Sequence, residues 1–167
     1  MVIVLETTKG DIELTVHREW APIGADHFTD LVNAGFYDGA PWFRVIDGFV
    51  AQCGIAADPE LNEQWSDRTI LDEPVKQGNQ AGYVAFGKTG MPNSRSTHIF
   101  INLADNSAGL DRQGFSCFAQ VTSGMDVAEA LSRCEYNDQG GLAASGGLER
   151  FKALFPTADY INRAYVK

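Results

Sequence analysis

The chain of 167 residues is 44% hydrophobic and 11% aromatic, enough apolar surface for one domain, 1–167, with a substantial core. Its formal net charge of -9 at pH 7 argues against attraction to nucleic-acid phosphate or an anionic membrane surface, so neither is expected as a partner. No apolar run approaches the roughly 20 residues of a membrane span, and Met1 leads into VIVLETT without a basic leader, which sets the expectation of a cytoplasmic protein.

Residues 3–8 and 12–17, IVLETT and IELTVH, alternate apolar and polar around Lys9-Gly10 and predict a hairpin with one buried face. In APIGADHFTDLVNAGFYDG, Pro22 suits a first helical turn, Phe28, Leu31 and Val32 share a helical face, and Gly35 is a natural stop. Short apolar runs at 42–46, 49–52, 82–86, 98–103 and 115–121 are bounded by Gly, Asp, Asn or Pro and predict sheet strands. A second helix is predicted over DVAEALSRC, after Gly124, and a last strand over DYINRAYV. Between them, the glycines of 137–158 predict an inserted mobile loop in which LERFKALF forms a short helix stopped by Pro156. Many short antiparallel strands with two good helices point to a closed barrel or a sandwich.

Candidate chemistry concentrates in WFRVIDGFVAQCG at 42–54, where one cation, Arg44, and one amide, Gln52, stand in an apolar hairpin. A guanidinium on such a strand needs solvent or an acceptor for its five donors. Across a two-residue Asp47-Gly48 turn, Arg44 would share a face with Phe49 and Ala51, and Gln52 would point the other way. Only a bulge or a wider loop unites them. Elsewhere, Cys53, Cys117 and Cys134 lack Cys-x-x-Cys spacing and read as reduced thiols. His17 and His27 show no ligand-like spacing, and GGLAASGG at 140–147 lacks the Gly-Lys-Ser/Thr ending of a phosphate loop, so neither a metal nor a cofactor is expected.

The segments KGDIELTVHREWAPI, HFTDLVNAGFYDG, WFRVIDGFVAQCG, HIFINLADN, GLD and SGMDVAEAL, in this order and spacing, resemble the cyclophilin family of peptidyl-prolyl cis-trans isomerases over about residues 2–134. The resemblance implies a mainly β fold, a closed eight-stranded antiparallel barrel capped by two α-helices, with a packed interior and a groove on its outer wall. By position, Arg44 matches the catalytic arginine, and Phe49, Val50 and Gln52 match its groove neighbours. Phe100 matches the floor of a proline pocket and Leu110 its wall, while Phe115 falls where the family has histidine or tyrosine. Lys88 and Thr89 lie near the segment whose backbone pairs with bound peptide, and His98 stands in place of a strand glutamine. Gly109 replaces a large aromatic that helps bind cyclosporin, which predicts weak inhibition by that drug.

The implied reaction is rotation about an Xaa-Pro bond, whose barrier is about 18–20 kcal/mol although its two ends lie close in energy. It requires no covalent step, only tighter binding of the twisted amide than of either planar form. A guanidinium aimed at the prolyl nitrogen meets that need, because the nitrogen gains acceptor strength as conjugation is lost. The expected partners are proline-containing peptides and unfolded or client proteins, bound by a monomer. The competing expectations are a cyclophilin-shaped module that binds proline segments with little turnover and a barrel with a ligand in its interior.

Overall fold

The computed structural model describes residues 1–167. Nine strands form one antiparallel sheet: β1 (Val2–Thr7), β2 (Gly10–Val16), β3 (Arg44–Ile46), β4 (Val50–Cys53), β5 (Tyr83–Phe86), β6 (Ile99–Asn102), β7 (Cys117–Ser123), β8 (Cys134–Glu135) and β9 (Ile161–Val166). They lie in the order β8-β3-β4-β6-β5-β7-β2-β1-β9. The first hairpin turns through Thr8-Lys9, since Thr7 pairs with Gly10.

The sheet curls until its two ends meet at one point, with Pro41 bridged to Tyr160 just ahead of β3 and β9. Pro41 has no N–H, so the contact is carried by its neighbours: Gly39 N–H donates to the Ile161 carbonyl (2.6 Å) and Trp42 N–H to that of Asp159 (2.9 Å). The expected count of eight strands is thus exceeded by the two-residue β8, and closure is a short seam instead of a full ladder. The interior is filled by a cluster of 27 buried residues, including Ile3, Leu5, Phe28, Phe86 and Phe118, which leaves no space for an interior ligand.

The expectation of two helices is also exceeded. There are six, α1 (Pro22–Asn33), α2 (Pro59–Ser66), α3 (Ser107–Leu110), α4 (Met125–Ala130), α5 (Gln139–Ala143) and α6 (Gly147–Leu154), with a 3-10 turn at Asp111–Gln113. Helix α4 is shorter than DVAEALSRC because Leu131 turns to extended backbone (φ -56°, ψ 136°) and Cys134 joins β8 opposite Val45. The 137–158 segment, expected as a glycine-rich loop with one helix, forms α5 and α6 around a second cluster of Phe43, Ile55, Tyr136, Leu142 and Phe151. Two of its four glycines, Gly141 and Gly147, serve packing: a Cβ at Gly147 would stand 2.1 Å from the Gly141 carbonyl oxygen.

One buried ion pair fixes the largest helix. Ala21 gives α1 no side-chain cap; instead both Glu73 carboxylate oxygens accept from its first free N–H groups, Ile23 (3.0 Å) and Gly24 (2.8 Å). Arg95 donates to the same carboxylate at 3.0 Å, with side chains 2% and 4% exposed, and also to the Leu71 carbonyl. The pair thereby pins the long 67–82 connection, which carries almost no regular structure, between α1 and the loop before β6. Glu73→Ala is expected to cost about 3–5 kcal/mol, because it strands a buried guanidinium and two helix N–H groups. Urea unfolding measures this loss; a change under about 1 kcal/mol contradicts the assignment.

Candidate active site

The site is built by register. Ile46 pairs with Val50, so the β3–β4 turn holds three residues, Asp47, Gly48 and Phe49. Gly48 (φ +66°) occupies the left-handed third position of a turn closed by Phe49 N–H to the Ile46 carbonyl (3.0 Å), where only glycine is unstrained. The extra residue restores parity: Arg44 faces Gln52 directly across the pair. The wider loop, not the two-residue turn, is the arrangement the chain adopts.

From there one row crosses the sheet, Glu135 to Arg44 to Gln52 to Phe100 to Ala85 to Cys117, each residue opposite the next. The adjacent row, Val45, Ala51, Ile101, Val84 and Ala119, belongs to the barrel core. The period of two along each strand thus sends one row inward and the other to the outer wall. There Phe100, Val50, Ala85 and Cys117 form a separate apolar cluster against which Phe49, Leu110 and Phe115 pack.

Above this row lies a groove of about 340 Å³. Arg44, Phe49, Val50 and Gln52 border it from the hairpin, Phe100 and His98 from β6 and its approach, Leu110 and Phe115 from the α3 side, and Lys88 and Thr89 from the loop after β5. Every residue that the sequence marked as a site candidate therefore lies at one groove. Phe115 stands edge-on to Phe100 (ring centres 5.5 Å apart, 80°), and the Arg44 guanidinium lies 5.8 Å from the Phe49 ring centre. A Cβ added to Gly109 would meet nothing within 4 Å, so the rim is open there.

A polar chain crosses the mouth. Arg44 Nη1 donates to Gln52 Oε1 (3.4 Å), and Gln52 Nε2 lies 3.5 Å from His98 Nδ1. Burial pushes the His98 pKa down to about 4, so the ring is neutral at pH 7 and its Nδ1 can accept from the amide. That choice turns the amide oxygen toward Arg44. His98 itself is placed by Gly54 (φ +119°), where a Cβ would stand 2.4 Å from both the His98 Cα and the Thr97 carbonyl oxygen.

Sequence reasoning did not find the scaffold beneath the groove. Asn106 Nδ2 donates to the Phe49 carbonyl (2.9 Å) and to Asn102 Oδ1 (2.9 Å), and buried Asn102 donates to Asn79 Oδ1 (3.1 Å). Asn79 in turn donates to Asp111 Oδ1 (2.8 Å) and to the Phe115 carbonyl (3.0 Å). One chain of amides therefore fixes the spacing of the Phe49 and Phe115 walls. Gln139 of α5 also lines the groove, and no motif marked any of these residues. Cys53 points inward, away from Gln52; all three thiols are free and buried, and burial pushes Cys134 up to about 11 and Cys117 to about 12.

Fold and groove together define the class of protein: a mainly β antiparallel barrel with a packed interior and a groove on its outer wall. The family model for cyclophilin type peptidyl-prolyl cis-trans isomerases matches residues 2–148. The chain is 33% identical to peptidyl-prolyl cis-trans isomerase A of Dickeya dadantii over 83% of its own length and 74% of that protein. With peptidyl-prolyl cis-trans isomerase B of Escherichia coli it shares 30% identity over 78% of its length and 83% of that protein. The chain belongs to the cyclophilin family of peptidyl-prolyl cis-trans isomerases. Its fold superposes with a TM-score of 0.73, at 16% identity and over 100% and 99% of the two chains, on a Cryptosporidium parvum cyclophilin crystallised in the presence of the dipeptide Ala-Pro. No helix is long and apolar enough to cross a membrane.

Two measurements follow from the titratable groups. His98 is uncharged in the folded state down to about pH 4, against 6.5 for an ordinary histidine, so on acidification the unfolded chain takes up its proton first. His27, whose pKa burial also lowers, acts with the same sign. Stability is therefore expected to be constant with respect to these groups above about pH 6.5 and to fall toward pH 4, with a shallower fall in His98→Gln; a slope unchanged by that substitution contradicts the burial of the ring. The native thiols are expected to resist an aromatic disulfide reagent at pH 8 until urea unfolds the chain.

Proposed function

We propose that the outer-wall groove is the isomerase site and that Arg44 is its catalytic group. The observation that carries the reading is the cross-strand row, in which Arg44 and Gln52 stand beside the Phe100 floor with apolar walls on either side. The prolyl ring seats on Phe100 between Phe49, Val50, Leu110 and Phe115, and the preceding carbonyl swings past it toward the polar side. These walls exclude water, so a hydrogen bond made within them acts in a lower dielectric than in bulk.

In the planar amide the prolyl nitrogen lone pair is delocalised and accepts poorly. At the top of the barrier it is localised, and the Arg44 guanidinium stabilises that form selectively, without proton transfer or a covalent intermediate. Gln52 has a positioning role here: its oxygen receives Arg44 Nη1 and its amino group turns to His98. Holding the guanidinium in place before the substrate arrives removes reorganisation from the barrier. Lys88 offers the substrate backbone a free edge, since neither its N–H nor its carbonyl has a backbone partner, and Thr89 continues the same lip.

The substrates in this reading are proline-containing peptides and unfolded or client proteins, and the working unit is a monomer acting in the cytoplasm. Recognition centres on the ring and the backbone, so the sequence range is broad. Because the rim at Gly109 is open, cyclosporin loses a wall contact and inhibits weakly.

The test is exchange NMR on a short Ala-Pro peptide with wild type and Arg44→Ala. Wild type is expected to accelerate cis/trans exchange, and the variant to lose about 100-fold or more in kcat/KM while peptide Kd rises far less. Arg44→Lys should recover little, because an ammonium lacks the planar fork. Peptide-induced shifts without acceleration by wild type would instead make the chain a low-turnover proline-binding module. Parallel losses of rate and affinity in Arg44→Ala would remove the catalytic role from this residue.

A further inference from the structure

The groove differs in charge from the molecule around it. The chain carries a formal charge of -9, yet the only charged side chains lining the groove are Arg44 and Lys88, and neither forms a salt bridge. Arg44 is engaged by Gln52, whereas the Lys88 side chain has no hydrogen-bonding partner. Its ammonium rests instead 5.2 Å from the ring centre of Phe115, one wall of the apolar pocket. Gly114 makes room for it: a Cβ there would stand 3.0 Å from Lys88 Nζ. A half-buried cation is thus held at one end of the groove with nothing to neutralise it.

The other end has the opposite sign. Beyond Ser96, His98 and Gln139 the groove continues into a cleft of about 620 Å³ between α2 and α5, lined by Glu60 and Glu63 with no cation among its lining residues. A carboxylate on a bound segment would be repelled there and attracted at the Lys88 end. The charge gradient therefore distinguishes the two directions along the groove.

We infer that Lys88 is a specificity-determining residue, selecting prolyl segments that carry an acidic side chain next to the isomerising bond, on the one flank that lies over Phe115. The inference rests on the groove being the isomerase site. The pair formed is rim-exposed, so its effect is modest and screened by salt. A preference of about two- to fivefold in kcat/KM at low ionic strength is the size such a pair supports.

The experiment compares three sets of short peptides by exchange NMR: Ala on both sides of the proline, Glu on the amino side only, and Glu on the carboxyl side only. Wild type, Lys88→Ala, Lys88→Glu and Arg44→Ala are assayed at about 20 and 300 mM salt. The expected result is that wild type favours one Glu peptide over the all-Ala peptide by about two- to fivefold at low salt, and the other not at all. The ratio should fall to one in Lys88→Ala, invert in Lys88→Glu and shrink at high salt. A ratio of one for both Glu peptides with wild type overturns the inference, as does a preference that survives in Lys88→Ala. Full activity in Arg44→Ala would overturn the site reading beneath it, an outcome separable from the others because it appears with the all-Ala peptide.

Discussion

The number of residues in one turn decides whether Arg44 and Gln52 meet on the outer wall of this protein. Strands alternate faces with a period of two, so a two-residue connection between β3 and β4 would have placed Arg44 and Gln52 on opposite sides of the sheet. Three residues, with Gly48 in the left-handed region, put them opposite each other and extend the row to Phe100. The barrel core depends on the same choice. Val45, Ala51 and Ile101 face inward only because Arg44, Gln52 and Phe100 face out. Folding the core and assembling the groove are thus one event, and a slip of register would spoil both.

The sheet supplies a floor, but the walls stand on loops that have no ladder to hold them. Two polar systems do that work. The Glu73–Arg95 pair, out of solvent, ties the 67–82 connection to α1 and to the stretch before β6. The amide chain through Asn106, Asn102 and Asn79 ties the β3–β4 turn to the Asp111–Phe115 segment. Buried polar groups of this kind are worth little when complete and cost much when broken, so they enforce a unique arrangement more than they add stability.

Those systems are also where the sequence was silent. Alternation in IVLETT and IELTVH and the helical face of Phe28, Leu31 and Val32 were plain because burial imposes a period. Arg44 and Gln52 stand out in the sequence as the polar pair of an apolar hairpin, but local parity leaves their meeting unresolved, since sequence does not state how wide a turn will be, and the other groove candidates are legible only through the family resemblance. Glu73, Arg95 and Asn79 sit in aperiodic stretches, and their partners lie tens of residues away. In 137–158 glycine was read as freedom, whereas at Gly147 its missing side chain permits close packing.

Helices α5 and α6 build a small core of their own, and it rests on Phe43, the residue before Arg44. The family model ends at residue 148, so α6 lies almost wholly beyond the part of the chain shared with that model. The strand carrying the guanidinium is therefore braced from outside in part by Phe151, a residue past the end of that match. Through Phe43, the packing of these helices backs β3 on the side away from the barrel core. The support of β3 thus extends to the periphery of the molecule, to a helix that contributes no residue to the groove lining.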